Sequence, residues 1–79
     1  MLKHINHLRG KLTKQGDTVL HLAVRNASFN ILVDLIENGM KEYILKSNLV
    51  GETPLVLAEK LGKDSMYKFM LKTVPEIYN

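Results

Sequence analysis

The chain repeats itself at an interval of 35 residues. Residues 16–23 (GDTVLHLA) align with residues 51–58 (GETPLVLA), with Gly, Thr, both Leu and Ala matching in register and an acid following Gly in both copies. A period of this length is typical of solenoids, in which each unit buries its apolar face against the next unit. The repeat therefore predicts two small stacked units.

Each copy begins with a turn and a helix cap. Gly16 and Gly51 permit the positive φ of a tight turn. Thr18 and Thr53 are N-cap residues, whose hydroxyls can accept an otherwise unpaired backbone N–H. Pro54 follows its cap at the first helical position, where a missing N–H costs nothing. A first helix is therefore predicted to start after each Thr.

A second helix is predicted in each copy. The segments 25–28 and 61–64 interrupt the helical pattern, which predicts second helices over 29–38 and 65–72. The first of these is expected to end at Gly39 through left-handed backbone geometry. The expected caps of the second helices are Ser28 and Asp64.

Apolar residues within the repeat recur at helical spacing, which predicts that they form the core. The small alanines among them allow close approach of a neighbouring helix. The predicted core positions of the two copies are Leu20, Ala23, Leu55 and Ala58.

The repeated residues resemble the ankyrin repeat. Its pattern Gly-x-Thr-Pro-Leu-x-x-Ala is present at 51–58, and its Leu-His-Leu-Ala is present at 20–23. The resemblance covers about residues 13–72. It implies an all-α fold, a short helical solenoid of stacked helix-turn-helix repeats with projecting hairpin or finger loops. The chain departs from the pattern at Val19, Ala27 and Val56, where the family has Pro, Gly and His.

The resemblance divides the chain into four parts. Residues 1–12 are expected to form an N-terminal helix or cap, 13–47 repeat 1, 48–72 repeat 2, and 73–79 an extended C-terminal tail. The interval between Gly39 and Gly51 is longer than the family norm, so this loop is expected to bulge or to carry an extra helical turn. Such a short stack predicts that the chain is a fragment of a larger protein or gains stability by self-association.

Composition excludes several classes of protein. The chain has 79 residues and no cysteine, which limits it to one domain and excludes disulfides and thiolate zinc sites. No apolar run approaches the roughly 20 residues of a spanning helix. We therefore expect an intracellular, soluble protein, with cytoplasm, nucleus and delivery into a host cell left open.

The formal net charge of +3 is unevenly placed, because residues 1–14 hold four basic residues and no acid. This segment is interpreted as a solvated cap face or as a contact for an acidic partner. Residues 1–28 contain no aromatic residue that could stack on bases. Four basic side chains would anchor only weakly to lipid. We expect neither a nucleic-acid partner nor membrane contact.

His21 is the most tempting catalytic residue. Asp17, His21 and Ser28 are the residue types of a hydrolase triad, but their spacing follows from the repeat. The matching positions of the second copy lack that chemistry, being Glu52, Val56 and Lys63. The resemblance instead gives His21 a structural role, in which it ties adjacent loops by hydrogen bonds. We therefore expect no enzymatic activity.

Metal and cofactor sites are not predicted. His4 and His7 stand three residues apart, but zinc normally takes a third protein ligand and none lies nearby. Asp34 and Glu37 are interpreted as a solvated helix face, and no phosphate-binding glycine loop is present.

The residues before the second turn glycine give the strongest binding signal. The resemblance places Leu49 and Val50 at a fingertip facing the concave groove, where the first copy has Lys14 and Gln15. Two aliphatics are unusual on a solvated loop, and with Leu61 they could form an exposed apolar patch; the alternative is that the loop folds inward and buries them. The predicted partner-binding residues are Lys14, Gln15, Asp17, Arg25, Asn26, Leu49, Val50, Glu52, Lys60 and Leu61.

The predicted function is a non-enzymatic protein–protein interaction module that binds a partner protein through finger loops and the concave helix face. Two alternatives stay open. One is a recruitment segment of a larger multidomain protein, such as a bacterial effector or scaffold. The other is a self-associating structural unit, a homo-oligomer that uses the last helix and an outward Phe69.

Overall fold

The computed structural model describes residues 12–78, and over this range the chain is helical with no strand. The helices are α1 (Val19–Arg25), α2 (Phe29–Leu35), α3 (Pro54–Lys60) and α4 (Asp64–Ile77). A π-helical turn (Ile36–Met40) and a 3₁₀ helix (Lys41–Leu45) follow α2. This order of elements confirms the predicted all-α, ankyrin-type architecture. The N-terminal helix expected within 1–12, together with His4 and His7, lies outside the described residues apart from Leu12.

The first helices begin at the two threonines, each by a different hydrogen bond. In the second repeat, Thr53 Oγ1 accepts from the backbone N–H of Val56 at 3.1 Å. In the first repeat, the backbone N–H of Thr18 donates to Nδ1 of His21 at 3.0 Å. A side chain three residues into the helix thus satisfies the N-cap backbone, as Glu does in a capping box.

The second helices begin without the expected side-chain caps. Ser28 occupies the N-cap position of α2, but its hydroxyl donates to the carbonyl of Asn26 at 3.5 Å. For α4 the N-cap is Lys63, and Asp64 is the first helical residue, so the prediction of Asp64 as the cap was wrong by one position. A carboxylate in the first turn still interacts favourably with the positive end of the helix dipole.

The chain leaves α2 through Gly39, whose φ of 105° lies in the left-handed region. The side-chain amide of Asn38 donates to the carbonyl of Asp34 at 2.7 Å, which satisfies one of the last carbonyls of the helix. The 3₁₀ helix that follows buries Ile44 completely. The loop therefore carries an extra helical turn, as one of the two expectations had it, and has no hairpin strands among the described residues.

The last helix is longer than predicted. α4 runs from Asp64 to Ile77, so the prediction of an extended tail from residue 73 was wrong for the described part of that segment. Pro75 lies inside the helix, although proline removes one backbone hydrogen bond. Val74 and Ile77, on either side of it, pack against the core, and Lys41 Nζ lies 3.6 Å from Glu76 Oε1.

The core lies where α1 packs on α2 and α3, and where α3 packs on α4. Phe69 on α4 is half-buried and meets Phe29 edge-on, with ring centroids 6.0 Å apart, so it does not point outward. Among the described residues, no helix has both the length and the apolarity to cross a membrane. The buried hydrophobic residues are Leu20, Ala23, Val24, Leu32, Ile36, Met40, Ile44, Leu57, Ala58, Met66 and Met70.

Candidate functional site

Two tight turns lie side by side at one end of the stack. In the first, Gly16 N–H donates to the carbonyl of Thr13 at 2.9 Å; in the second, Gly51 N–H donates to that of Asn48 at 3.1 Å. Both glycines have positive φ, 77° and 84°. The backbone N–H of Leu49 donates to the carbonyl of Gln15 at 2.7 Å and so joins the two turns. We call the pair the fingertip turns (residues 13–16 and 48–51).

The fingertip turns expose aliphatic side chains. Leu49 is 74% and Val50 66% exposed, which decides against the alternative in which the loop buries them. Leu49 also lies over Gly16, because a Cβ at Gly16 would stand 2.7 Å from Leu49 Cγ. Lys14 and Gln15, the corresponding residues of the first turn, are exposed as well.

Three more predicted binding residues lie on the surface at the ends of the first helices. Leu61, just after α3, is 44% exposed. Asn26 and Lys60 are also exposed. The structure thus brings polar and apolar groups to the surface near the fingertip turns.

Asp17 does not lie on that surface. Its side chain is only 2% exposed, so the prediction that Asp17 contacts a partner was wrong. Arg25 donates to both carboxylate oxygens, through Nε at 2.9 Å and Nη2 at 3.3 Å. Asn48 Nδ2 adds a third bond at 3.0 Å. A buried carboxylate needs such partners to offset its lost hydration, and here it joins the two repeats.

The ionisation of Asp17 reflects this balance. Burial acts to raise the pKa of the Asp17 carboxyl, but hydrogen bonds from Arg25 and Asn48, with the positive charge of Arg25, lower it below its ordinary value of 3.8 overall. Asp17 is therefore an anion at neutral pH and holds Arg25 in place.

Glu52 repeats the same relationship in the second unit. Lys60 Nζ donates to Glu52 Oε2, and Arg25 Nη2 lies 3.8 Å from Glu52 Oε1. The hydrogen bond from Lys60, followed by that from Asn48, lowers the pKa of the Glu52 carboxyl below 4.5. The acids and bases alternate across the repeats; we call Asp17, Arg25, Glu52 and Lys60 the charge ladder.

Asn48 is a key residue that the sequence analysis missed. Its side chain accepts from the backbone N–H of Val50 at 3.1 Å and of Glu52 at 2.9 Å, and its amide donates to Asp17. The sequence held a partial signal, because Thr13 stands at the matching position and Thr13 Oγ1 accepts from the N–H of Asp17 at 3.1 Å. Asn and Thr are both residues that hydrogen-bond turn backbones.

His21 joins the two repeats through its ring. The Nε2 atom lies 2.7 Å from the carbonyl oxygen of Glu52, and Nδ1 accepts from the N–H of Thr18. Because a carbonyl only accepts and a backbone N–H only donates, the neutral ring with its proton on Nε2 fits both contacts. The side chain is fully buried, and the bonds of Asp17 and Ser28 go to other residues, so the three do not form a triad.

A cleft of about 600 Å³ lies on another side of the stack, against α4. The cleft is lined by Ile36, Phe69 and Thr73, and acidic and basic side chains surround it. Within residues 12–78 no group of three or more acids and histidines could hold a metal ion.

Two curated proteins are similar to this chain. An ankyrin repeat-containing protein of Arabidopsis thaliana is 32% identical over 77 residues, covering 86% of this chain and 15% of that protein. The nuclear factor NF-kappa-B p110 subunit of Drosophila melanogaster is 30% identical over 67 residues, covering 81% of this chain and 7% of that protein. No family model matches the chain, and no solved structure does.

Three observations indicate the same class of protein, the ankyrin-type repeat: the repeated turns, the paired helices and these similarities. The chain folds as ankyrin-type helical repeats and is similar in sequence to an ankyrin repeat-containing protein. It spans only 15% and 7% of the length of the two relatives.

Proposed function

We propose that this chain is a protein-interaction module that binds a partner protein through the fingertip turns and the adjoining concave face of α1 and α3. The observation that carries the proposal is the exposure of Leu49 and Val50, 74% and 66%, on a turn that hydrogen bonds hold in place. Exposed aliphatics with a polar rim are typical of protein-binding surfaces.

Hydrogen bonds already hold the second fingertip turn in one conformation. Little of this turn therefore has to become ordered when a partner binds. Leu49 N–H bonds to Gln15, and Val50 N–H bonds to the side chain of Asn48. Preorganisation of this kind reduces the entropic cost of association. Two repeats offer less than the roughly 800 Å² per partner of a standard interface, so we expect micromolar affinity.

No enzymatic activity is part of this proposal. The buried ring of His21 and the buried carboxylate of Asp17 are engaged in bonds between the repeats. A recruitment role within a larger scaffold or bacterial effector is compatible with the same binding surface and stays a prediction, as does an intracellular location.

Affinity capture with a matched set of variants tests the proposal. The baits are the parent chain, Leu49→Glu/Leu61→Glu, and the control Ile31→Glu, which changes an aliphatic of α2 that is 55% exposed. Each bait is first shown to be folded by circular dichroism. Proteins retained by the parent and by the control, but lost by the double variant, would support the fingertip site. Identical sets for all three baits would contradict it.

Self-association is a second candidate function, favoured by a difference between the repeats. His21 and Ile36 in the first repeat are 0% and 4% exposed, whereas their counterparts Val56 and Leu71 are 41% and 47% exposed. A second copy of the chain that packed against Val56 and Leu71 would bury these two aliphatic side chains. Sedimentation equilibrium across a wide concentration range tests the idea: a monomer throughout contradicts it, and a mass that falls for Leu71→Glu supports it.

A further inference from the structure

Arg25 and Lys60, which lie at the ends of the first helices, already have acidic partners within the chain. Arg25 donates to both oxygens of Asp17 and lies 3.8 Å from Glu52, and Lys60 donates to Glu52. The charge ladder contains two acids and two bases, so it is electrically neutral as a unit. An acidic partner would have to compete with carboxylates that the fold itself holds in position.

Three exposed aliphatic side chains lie near the charge ladder. Leu49 and Val50 lie in the turn that leads directly into Glu52, and Leu61 follows Lys60; the three are 74%, 66% and 44% exposed. Lys60 reaches back to Glu52, which places the end of α3 and this turn on the same side of the stack. Burying the exposed part of Leu49 or Val50 would raise affinity by about five- to tenfold, and burying that of Leu61 by less, because more than half of Leu61 is already buried.

Lys14 is the exposed base of the neighbouring fingertip turn. One exposed ion pair changes affinity by about fivefold at most, because water and salt screen it. The apolar contribution of three aliphatics therefore exceeds the electrostatic contribution of this lysine.

We propose that the fingertip site selects an uncharged, predominantly apolar peptide segment of its partner, and not an acidic segment. This inference rests on the proposed function and specifies the chemistry of the partner. The charge ladder holds the second fingertip turn through the bonds of Asn48 to Asp17 and Glu52. It contributes no net charge that would attract a charged ligand.

Selection from a library of displayed random peptides tests the inference without knowledge of the natural partner. The targets are the parent chain, Leu49→Ser/Val50→Ser, and the control Ile31→Ser, each confirmed to be folded. We expect peptides that bind the parent and the control, but are recovered at least about tenfold less on the double variant, to be rich in aliphatic residues and poor in Asp and Glu. Their affinities, measured by fluorescence anisotropy, should change less than about twofold between about 0.1 M and 1 M NaCl.

Two different outcomes would contradict the inference, and only one of them also contradicts the proposed site. Peptides that depend on Leu49 and Val50 but are rich in Asp and Glu, and that lose about tenfold or more in affinity at high salt, would overturn the inference and leave the proposed site intact. Peptides recovered equally on all three targets, or no enrichment on the parent, would contradict the proposed fingertip site and the inference with it.

Discussion

The Nε2 atom of His21 lies 2.7 Å from the carbonyl oxygen of Glu52, 31 residues further along the chain. The same ring accepts the N–H of Thr18 through Nδ1. One buried side chain therefore caps its own helix and also fixes the turn of the next repeat. These two bonds give the histidine at this position a structural role.

Replacement of His21 by Ala should destabilise the fold strongly. The change leaves a cavity and removes the partners of two backbone groups, so we expect a loss of about 2–4 kcal/mol in the free energy of unfolding. Urea unfolding followed by circular dichroism measures it. The matched control is Val56→Ala at the corresponding position of the second repeat, which is 41% exposed and should cost less than about 1 kcal/mol. Equal costs at the two positions would contradict the role assigned to His21.

Gly16 and Gly51 should respond differently to Ala although both have positive φ. A Cβ at Gly16 would stand 2.7 Å from Leu49 Cγ and 3.1 Å from Leu49 N, whereas a Cβ at Gly51 has no neighbour within 4 Å. Both substitutions carry the backbone cost of about 1 kcal/mol. Gly16→Ala should carry about 1–2 kcal/mol more, because the neighbouring turn must move.

Thermal and urea unfolding of the two glycine variants check this difference. In a Leu49→Ala background the steric part of the Gly16→Ala penalty should shrink, since Cγ is absent. Equal losses of stability for Gly51→Ala and Gly16→Ala in the parent chain would contradict the prediction. The contact of Gly16 with Leu49 would then add no steric cost.

The starts of the first helices could be predicted because capping is local chemistry. Thr18, Thr53 and Pro54 lie next to the helices that they begin, so a few residues of sequence carry the whole signal. The end of α4 could not be predicted in the same way. Pro75 is a helix breaker by local rules, whereas the contacts of Val74 and Ile77 with the core on either side of it are tertiary and are not encoded locally.

The sequence located the surface turn of the candidate site but not the contacts between the two turns. The repeat pattern located the tight turn that holds Leu49 and Val50 but left open whether they are exposed; the structure has them 74% and 66% exposed. Burial of Asp17 and the central position of Asn48 arise because these two residues, 31 apart in the sequence, meet where the two fingertip turns lie side by side. No local pattern specifies that placement.

Stability should decrease as the pH falls through the acidic range. The folded-state pKa values of Asp17 and Glu52 lie below the ordinary values of 3.8 and 4.5. The unfolded chain therefore takes up protons first as the pH falls, and the free energy of unfolding falls with it. The contribution of both groups is fully present above about pH 5 and is lost towards the lower folded pKa values.

Urea unfolding at a series of pH values, for the parent chain and for Asp17→Asn, measures this dependence. The variant should be less stable at neutral pH, because Arg25 loses its charged partner, and its stability should change less with pH. A parent whose stability is constant or rises below pH 5, or a variant with the same pH slope as the parent, would contradict the prediction.

Asn48→Thr should separate the two roles of Asn48. Thr13 shows that threonine at this position can accept the N–H of the acid after the turn glycine. The variant therefore keeps a bond to Glu52 N–H but loses the amide that donates to Asp17 at 3.0 Å. Removing one hydrogen bond to a buried charged group should cost about 1.5–3 kcal/mol.

The matched control is Thr13→Ser, which keeps the hydroxyl and should cost less than about 1 kcal/mol. Hydrogen exchange at the amides of Leu49 and Val50 gives the second readout. In Asn48→Thr the Leu49 amide should exchange faster, because the second turn is no longer tied to the first through Asp17 and its bond to Gln15 opens more often. Loss of stability with unchanged exchange at Leu49, relative to the rest of the chain, would assign Asn48 a local role in its own turn. That result would leave His21 as the residue that sets the spacing between the repeats.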